Sequence, residues 1–347
     1  MIAAVEASAR TIATDAPESD GTLDWDETTI VLVRVFAGEH AGLGYTYGDR
    51  SIAGLIEGSL AEVVRGRDPM DVPGAWSAMR EALRNTGTVG AGAMAISAVD
   101  IALWDLKARI LGVALCTLLG RAHEGIEIYG SGGFTSYDDD RLAEQLAGWA
   151  ADGIPRVKMK VGRDPDRDEH RVGVAREAIG DGVELMVDAN GAYDRAQARR
   201  WRDTFAEHGV TWLEEPVSSD DPEGLEQLRG GPVAIAAGEY GWRPEDFPPL
   251  AGAVDVLQAD VTRCQGITGL LAVGGLCEAH GLPLSAHCAP AISCHAFAAL
   301  PPTRHVEYFH DHVRVEQMVF DGVPEPHGGL LRPDVGRAGH GLELKCE

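Results

Sequence analysis

Positive charge is what this sequence has least of: 30 lysines and arginines stand against 54 aspartates and glutamates, a formal net charge of −24. That balance excludes nucleic acid and anionic membranes as partners, because both are held by basic faces. It also requires that an anionic ligand be captured by local positive charge, from lysines or from a metal ion. Long apolar runs are missing as well. No stretch reaches the length of a membrane span, and the opening Met-Ile-Ala-Ala-Val-Glu lacks the basic-then-apolar order of a secretory signal, so a cytoplasmic protein is expected. Cysteine pairs are missing too. The six cysteines (Cys116, Cys264, Cys277, Cys288, Cys294 and Cys346) contain no Cys-x-x-Cys, and buried free thiols are expected rather than a disulfide framework or a structural zinc site. Finally, no Gly-x-Gly-x-x-Gly turn follows a first strand, which disfavours a doubly wound dinucleotide-binding sheet.

What is present is an ordinary globular composition, 45% hydrophobic and 24% charged over 347 residues. This is enough for one large domain with a smaller one, or for an elaborated barrel. Residues 28–37 alternate and are β-branched, Gly38-Glu39-His40 turns the chain, and residues 42–47 read as a second strand. Helical patterns follow at 52–65 and 73–83. A long small-residue helix at 92–110, ended by Gly112, is expected to pack closely on several sides. This first unit is an α+β domain, residues 1–122.

The texture then changes. Short apolar runs recur at 126–130, 156–162, 183–190, 211–216, 233–239, 254–260, 282–287 and 305–309. Helical segments lie between most of them, such as 138–151, 166–179, 194–208 and 266–280. Eight strand signals alternating with helices read as a parallel β/α array that closes into a barrel. No clear helix is expected after Phe309. The fold class is α/β: a modified TIM barrel, (β/α)7β, at residues 123–319. The Gly- and Pro-rich segment 320–347 is expected to return to complete the N-terminal α+β capping domain.

The stretch Arg156-Val-Lys-Met-Lys-Val-Gly162 puts Lys158 and Lys160 on one face of a short strand. Two neighbouring ammonium groups lower each other's pKa, and the pair would attract a carboxylate. Catalytic groups of a β/α barrel sit at the C-terminal strand ends. Those ends here carry Lys158 and Lys160, then Asp188 and Asn190, Glu214 and Glu215, Glu239, Asp260, His287, and Glu307. Asp188, Glu214 and Glu239 fall on consecutive strands at nearly equal spacing. Three acids brought together need a cation, and oxygen-only ligands favour a hard one, Mg²⁺. Glu214 is taken as the ligand and its neighbour Glu215 as support behind it, with Asn190 as a hydrogen-bond partner of the site. Asp260 and His287 end neighbouring strands, where the carboxylate fixes the imidazole's tautomer and raises its basicity. The remaining histidines, His295, His305, His310 and His312, read as structural or surface residues.

Taken together, the Lys-x-Lys, Asp-x-Asn, Glu-Glu-Pro, Gly-Glu, Asp and His at successive strand ends resemble the enolase superfamily, and within it the mandelate racemase subgroup with its acid-sugar dehydratases. The resemblance covers the whole chain. It implies Mg²⁺ on Asp188, Glu214 and Glu239, with Lys160 as the base toward one face of a carboxylate substrate. Lys158 would partner the carboxylate, His287 held by Asp260 would act on the other face, and Glu307 would sit near the substrate carboxylate, where a protonated form could donate a hydrogen bond to it. The positive charges of Mg²⁺ and Lys158 are expected to depress the pKa of Lys160. Asp260, where muconate-cycloisomerising and dipeptide-epimerising relatives carry lysine, favours an acid-sugar or mandelate-like enzyme.

The reaction expected first is dehydration of an acid sugar to a 2-keto-3-deoxy acid through an enediolate. Racemisation or epimerisation of a 2-hydroxy acid uses the same residues, and a non-catalytic Mg²⁺-dependent carboxylate-binding protein is the third reading. Specificity is assigned to two cap loops at residues 16–26 and 45–51, where Tyr45, Tyr47, Asp49 and Arg50 suit a hydroxylated tail and Trp25 could close over an apolar group. A homo-oligomer that completes the cap is expected.

Overall fold

The computed structural model describes residues 1–345; Cys346 lies outside them. The chain opens with three antiparallel strands, β1 (Ala4–Ser19), β2 (Asp24–Ala37) and β3 (His40–Tyr47), in the order β1-β2-β3. Strand β1 was not anticipated from sequence. It is an edge strand with an irregularity between Ala13 and Glu18, so its residues alternate only weakly in burial. Pro17 is tolerated there because an edge can spare a ladder bond. The region expected as a loop at 16–26 therefore shrinks to the turn between Ser19 and Asp24, and Tyr45 and Tyr47 belong to β3 rather than to a loop.

The long helix, Ala91–Leu111, is buried along most of its length and ends at Gly112 in the left-handed conformation (φ 67°). It packs against β3 so closely that a Cβ on Gly42 would stand 2.1 Å from the Ala102 carbonyl oxygen, and one on Gly44 2.2 Å from that of Ala98. Glycine is required at both positions. The opposite side of the helix docks on the barrel helix Gly266–His280, where Asp100 accepts from the Thr268 N–H and hydroxyl and Trp104 Nε1 donates to Thr268 Oγ1 at 2.9 Å.

Eight parallel strands follow: β4 (Ile126–Gly132), β5 (Arg156–Lys160), β6 (Glu184–Asp188), β7 (Val210–Glu214), β8 (Ala234–Ala237), β9 (Val256–Ala259), β10 (Leu284–Ala286) and β11 (Thr303–Phe309). Each pairs with the next, and β11 pairs with β4, closing the barrel. Tyr129, Met186, Trp212, Ala236 and Val256 form a separate buried cluster. They come from strands that are not all neighbours, so they meet across the barrel axis, and the interior is filled rather than hollow.

One expectation is corrected here: a helix, His310–Val319, does follow the last strand. Its polar sequence hides it, because the face it buries consists largely of polar groups, Asp311, His312 and Glu316, beside Val315 and Val319. The tail then runs back. Leu330–Leu331 pairs antiparallel with β4, and Phe320–Asp321 pairs with Glu343–Leu344. The buried Asp105 of the long helix accepts from the His340 and Leu43 N–H groups, each at 2.8 Å, and from Arg109 Nε at 2.6 Å. Five cysteines, Cys116, Cys264, Cys277, Cys288 and Cys294, are buried free thiols. Among the described residues no helix is long and apolar enough to cross a membrane.

Glu316 joins the last helix to the cap, accepting from the Tyr45 hydroxyl at 2.7 Å and from the Ala291 N–H at 3.1 Å. Burial pushes its pKa up to about 8. A carboxyl whose folded pKa is raised stabilises the fold while protonated, fully below the unfolded value, and loses that contribution as pH rises through about 8. Urea unfolding of Glu316→Gln between pH 5 and 8 should therefore lack a stability loss of a few kcal/mol that the native chain shows over this range. Parallel slopes in the two proteins would refute the assignment.

Candidate active site

Strand register builds the site. Lys160 pairs with Asp188, and Asp188 with Glu214, so these three side chains form one row at the C-terminal mouth. Lys158 pairs with Met186, which pairs with Trp212, one step deeper. The chain has four lysines, and two of them are buried here. Lys160 Nζ lies 2.5 Å from Asp188 Oδ2; Lys158 Nζ lies 2.6 Å from Glu214 Oε1 and 2.8 Å from Glu307 Oε1. Trp212 Nε1 donates to the other Glu214 oxygen at 3.0 Å.

Glu239 reaches the row by a different device. Ala236 faces the barrel interior, so strict alternation would send residue 239 outward. Gly238 breaks it with φ 135°, and a Cβ there would meet the Gln258 carbonyl oxygen at 2.1 Å. Asn190 and Glu215 also sit at positive φ just past their strands (46° and 37°), strain of the kind found at functional sites. Asn190 donates its N–H to Asp188 Oδ1 at 2.9 Å and lines the pocket, while the buried Glu215 accepts from the Ser219 hydroxyl.

On the opposite side, His287 Nδ1 lies 2.8 Å from Asp260 Oδ2, and Asp260 Oδ1 accepts from the Thr262 N–H and hydroxyl, each at 2.7 Å. The carboxylate is thus fixed from both ends and fixes the ring in turn. His287 Nε2 is 3.1 Å from Glu239 Oε2, but without hydrogen-bond geometry, so that buried oxygen has no donor.

The electrostatics follow from these distances. Burial and the neighbouring Asp188 push Glu214 up to about 8. Burial works against the charge on Lys160 and Lys158 lowers its pKa as expected, but Asp188, Glu239 and Glu214 together outweigh both and raise it, where a net depression was expected from sequence. The reason is that the protein's own groups around Lys160 are dominated by carboxylates, and the expected depression assigned part of the positive charge to a metal. Burial likewise opposes a charged His287, yet its pKa is raised. Cys288 contributes nominally, but burial pushes that thiol up to about 12 and it is neutral near pH 7, so Glu239, Glu307 and Asp260 are what hold the imidazolium. Glu307 differs from expectation. It accepts from Ser131 Oγ (2.6 Å), the Cys288 N–H (2.8 Å) and Lys158, and despite burial Lys158 holds its pKa below the usual carboxylate range. These contacts favour the ionised, accepting form of Glu307 over a protonated donor.

Asp188, Glu214 and Glu239 each offer a buried oxygen, all within 4.8 Å of one another. Crowded carboxylates, one with an oxygen lacking any donor and one with a raised pKa, form an all-oxygen donor set that fits a hard divalent cation such as Mg²⁺. Glu239, Lys160, His287 and Glu307 line a pocket of about 470 Å³ between the barrel mouth and the cap, with Asp188 behind Lys160 and Glu214 beside Asp188. Trp25, Tyr47 and Asp49 line it from above. Tyr47 stacks on the His312 ring (centroids 3.5 Å apart), with its hydroxyl beside Glu316 but outside hydrogen-bond geometry. Tyr45 turns away to Glu316, and Arg50 is exposed with Nη2 3.3 Å from Thr11 Oγ1. The sequence reading passed over Ser131, Arg263, Cys288 and His312 as site residues. Cys288 follows His287 directly, and Ser131 ends the first barrel strand, whose end was not read because it carries no ionisable group.

Family models match both parts of the chain. The mandelate racemase / muconate lactonizing enzyme N-terminal domain covers residues 9–120, and the enolase C-terminal domain-like model covers residues 141–347. The chain belongs to the mandelate racemase/muconate lactonizing enzyme family. It is an enzyme of the enolase superfamily, as its strand-end residues suggested. A mandelate racemase/muconate lactonizing enzyme-like protein from Rubrobacter xylanophilus is 60% identical, with a TM-score of 0.98 over 99% of this chain and 97% of that one. The 3,6-anhydro-alpha-L-galactonate cycloisomerase of Streptomyces coelicolor is 32% identical over 92% of this chain and 90% of its own length. The L-talarate dehydratase of a Polaromonas species, solved with Mg and L-glucarate, is 32% identical, with a TM-score of 0.90 over 99% of this chain and 95% of that one.

Within this family member Gly238 carries a specific expectation. Gly238→Ala should weaken Mg²⁺ binding by about tenfold or more, the usual cost of disturbing a ligand's support, measured by calorimetric titration. An unchanged affinity would show that Glu239 does not depend on this backbone conformation.

Proposed function

We propose that the enzyme, with Mg²⁺ as its cofactor, dehydrates an acid sugar to a 2-keto-3-deoxy acid. The observation that carries this reading is one pocket lined by Lys160, by His287 with Asp260 behind it, and by Glu239, whose carboxylate clusters with Asp188 and Glu214. Bound Mg²⁺ supplies positive charge at the substrate carboxylate, where the enediolate's negative charge develops. Asp188, Glu214 and Glu239 would hold the cation, and Lys158, between Glu214 and Glu307, adds a fixed positive charge to the same region. With Mg²⁺ drawing on Asp188, Lys160 would lose the carboxylate that keeps it protonated, and its neutral Nζ would take the proton α to the carboxylate, the C–H electron pair becoming the enediolate. Its collapse expels the β-hydroxyl, which receives a proton from His287 Nε2 and leaves as water. The enol that remains tautomerises to the 2-keto-3-deoxy product. Asp260 keeps His287 oriented with Nε2 toward the substrate. Similar proteins named as acid-sugar dehydratases and cycloisomerases support this choice. We further propose that the protein works as a homo-oligomer in the cytoplasm, in keeping with its acidic composition and its exposed Leu23 at the pocket rim.

Proton NMR in D₂O with Mg²⁺ over a panel of acid sugars and 2-hydroxy acids separates the alternatives. Loss of the α proton with a new C3 methylene is the expected result. Exchange with the skeleton intact would instead make the protein a racemase or epimerase. Lys160→Ala should abolish α-proton exchange while Mg²⁺ still binds. His287→Asn should keep exchange but slow dehydration about 100-fold or more, the contribution of a positioned acid.

A further inference from the structure

Charge around the pocket is unevenly divided between its floor and its roof. The cations come from the barrel rim, and each is already engaged. Lys160 lies 2.5 Å from Asp188, Arg263 lies 3.4 Å from Glu239 and 3.5 Å from Asp260, and His287 sits between Asp260 and Glu239. The cap contributes carboxylates instead: Asp20, Glu27 and Asp49 line the roof, and no lysine or arginine of the cap does. Asp20 is buried, whereas Glu27 and Asp49 are exposed, and hydrogen bonds from Ser51, helped by the neighbouring Arg50, hold the Asp49 pKa down.

Two of these acids are fixed by local hydrogen bonds. Asp20 Oδ1 accepts from the Thr22 N–H (2.6 Å), the Thr22 hydroxyl (3.0 Å) and the Leu23 N–H (2.7 Å), and Asp49 accepts from the Ser51 N–H at 2.8 Å. The rest of the roof is neutral: the hydroxyls of Thr28 and Thr29, the Trp25 ring, and Tyr47 stacked on His312. Burial lowers the His312 pKa to about 4, so it brings no charge near neutrality.

A carboxylate bound at the barrel mouth meets Lys158, Lys160 and the metal site. A second carboxylate at the far end of the same molecule would meet only like charge, which costs affinity steeply in a partly enclosed pocket. We propose that the substrate is a monocarboxylate, with one carboxylate at the mouth and an uncharged, hydroxylated remainder under the cap, and that sugar diacids are excluded by Asp20, Glu27 and Asp49. The inference rests on the proton-abstraction reading above and narrows its substrate class. It sets this chain apart from the Polaromonas relative, whose ligand L-glucarate is a diacid.

The test compares aldonates with the aldarates of matching configuration, gluconate with glucarate and galactonate with galactarate, on the full Mg²⁺-loaded chain. Exchange of the α proton is followed by NMR and binding by calorimetric titration. A preference for the monoacids of about 100-fold is expected, shrinking at high salt because Glu27 and Asp49 are exposed and their charge is screened. In Glu27→Gln/Asp49→Asn the gap should narrow about tenfold, through better binding of the diacids. Diacids bound or exchanged as well as monoacids would overturn the proposal, as would a gap unmoved by the double variant or failure of both classes to bind at millimolar concentration. Monoacids that bind selectively without exchange would refute the reaction reading while upholding the substrate class.

Discussion

Everything at the barrel mouth depends on holding carboxylates together against their mutual repulsion. Asp188, Glu214, Glu239, Asp260 and Glu307 are all buried within one region of the molecule, and an uncompensated cluster of this kind would protonate or unfold rather than persist. The protein answers with cations on inward strand positions. Lys158 stands between Glu214 and Glu307, Lys160 against Asp188, and His287 between Glu239 and Asp260, with Arg263 beside the last two. The pairing is incomplete at one place. Glu239 keeps an oxygen without a donor and Glu214 has a raised pKa, so the residual negative charge is focused where a divalent ion is required. A chain with a net charge of −24 thereby spends two of its four lysines on the barrel interior.

Much of this was legible in the sequence because a parallel barrel converts one-dimensional spacing into position. Strand-end residues at regular intervals arrive on one rim, and Lys-x-Lys shares a face because strand periodicity is two. The parts that were not legible involve departures from that periodicity or contacts distant in sequence. Gly238 reverses the alternation that would have turned Glu239 outward, and nothing in the adjacent Gly-Glu pair reveals the direction of that turn. Glu307 looked like a possible proton donor until its three donors, one from β4 and two from elsewhere on the rim, showed it to be an acceptor. The helix His310–Val319 and strand β1 escaped notice for a common reason: each buries polar or small residues against another element, so neither carries an apolar stripe.

Chemistry and selectivity are also built on different kinds of support. The reacting groups stand on strands whose register is fixed by the closed sheet. Of the roof acids Glu27 stands on β2 and Asp49 just past β3, whereas Asp20 stands on the turn between β1 and β2, a poor place to hold a charge if it were free to move. It is not free. The Thr135 N–H donates to the Ser19 carbonyl and its hydroxyl to that of Asp20, each at 2.8 Å, while Ser19 Oγ lies 2.6 Å from Thr135 Oγ1. The Ser136 hydroxyl holds the Pro17 carbonyl at 2.7 Å. Gly21 is seated so tightly that a Cβ would lie 2.4 Å from the Ala189 carbonyl oxygen, next to the metal-site strand. The loop after β4 and the end of β6 therefore bolt the roof to the barrel through backbone groups that need no substrate. Asp20 is therefore placed before any substrate binds, and its share of the proposed discrimination between a neutral and a charged tail does not depend on closure.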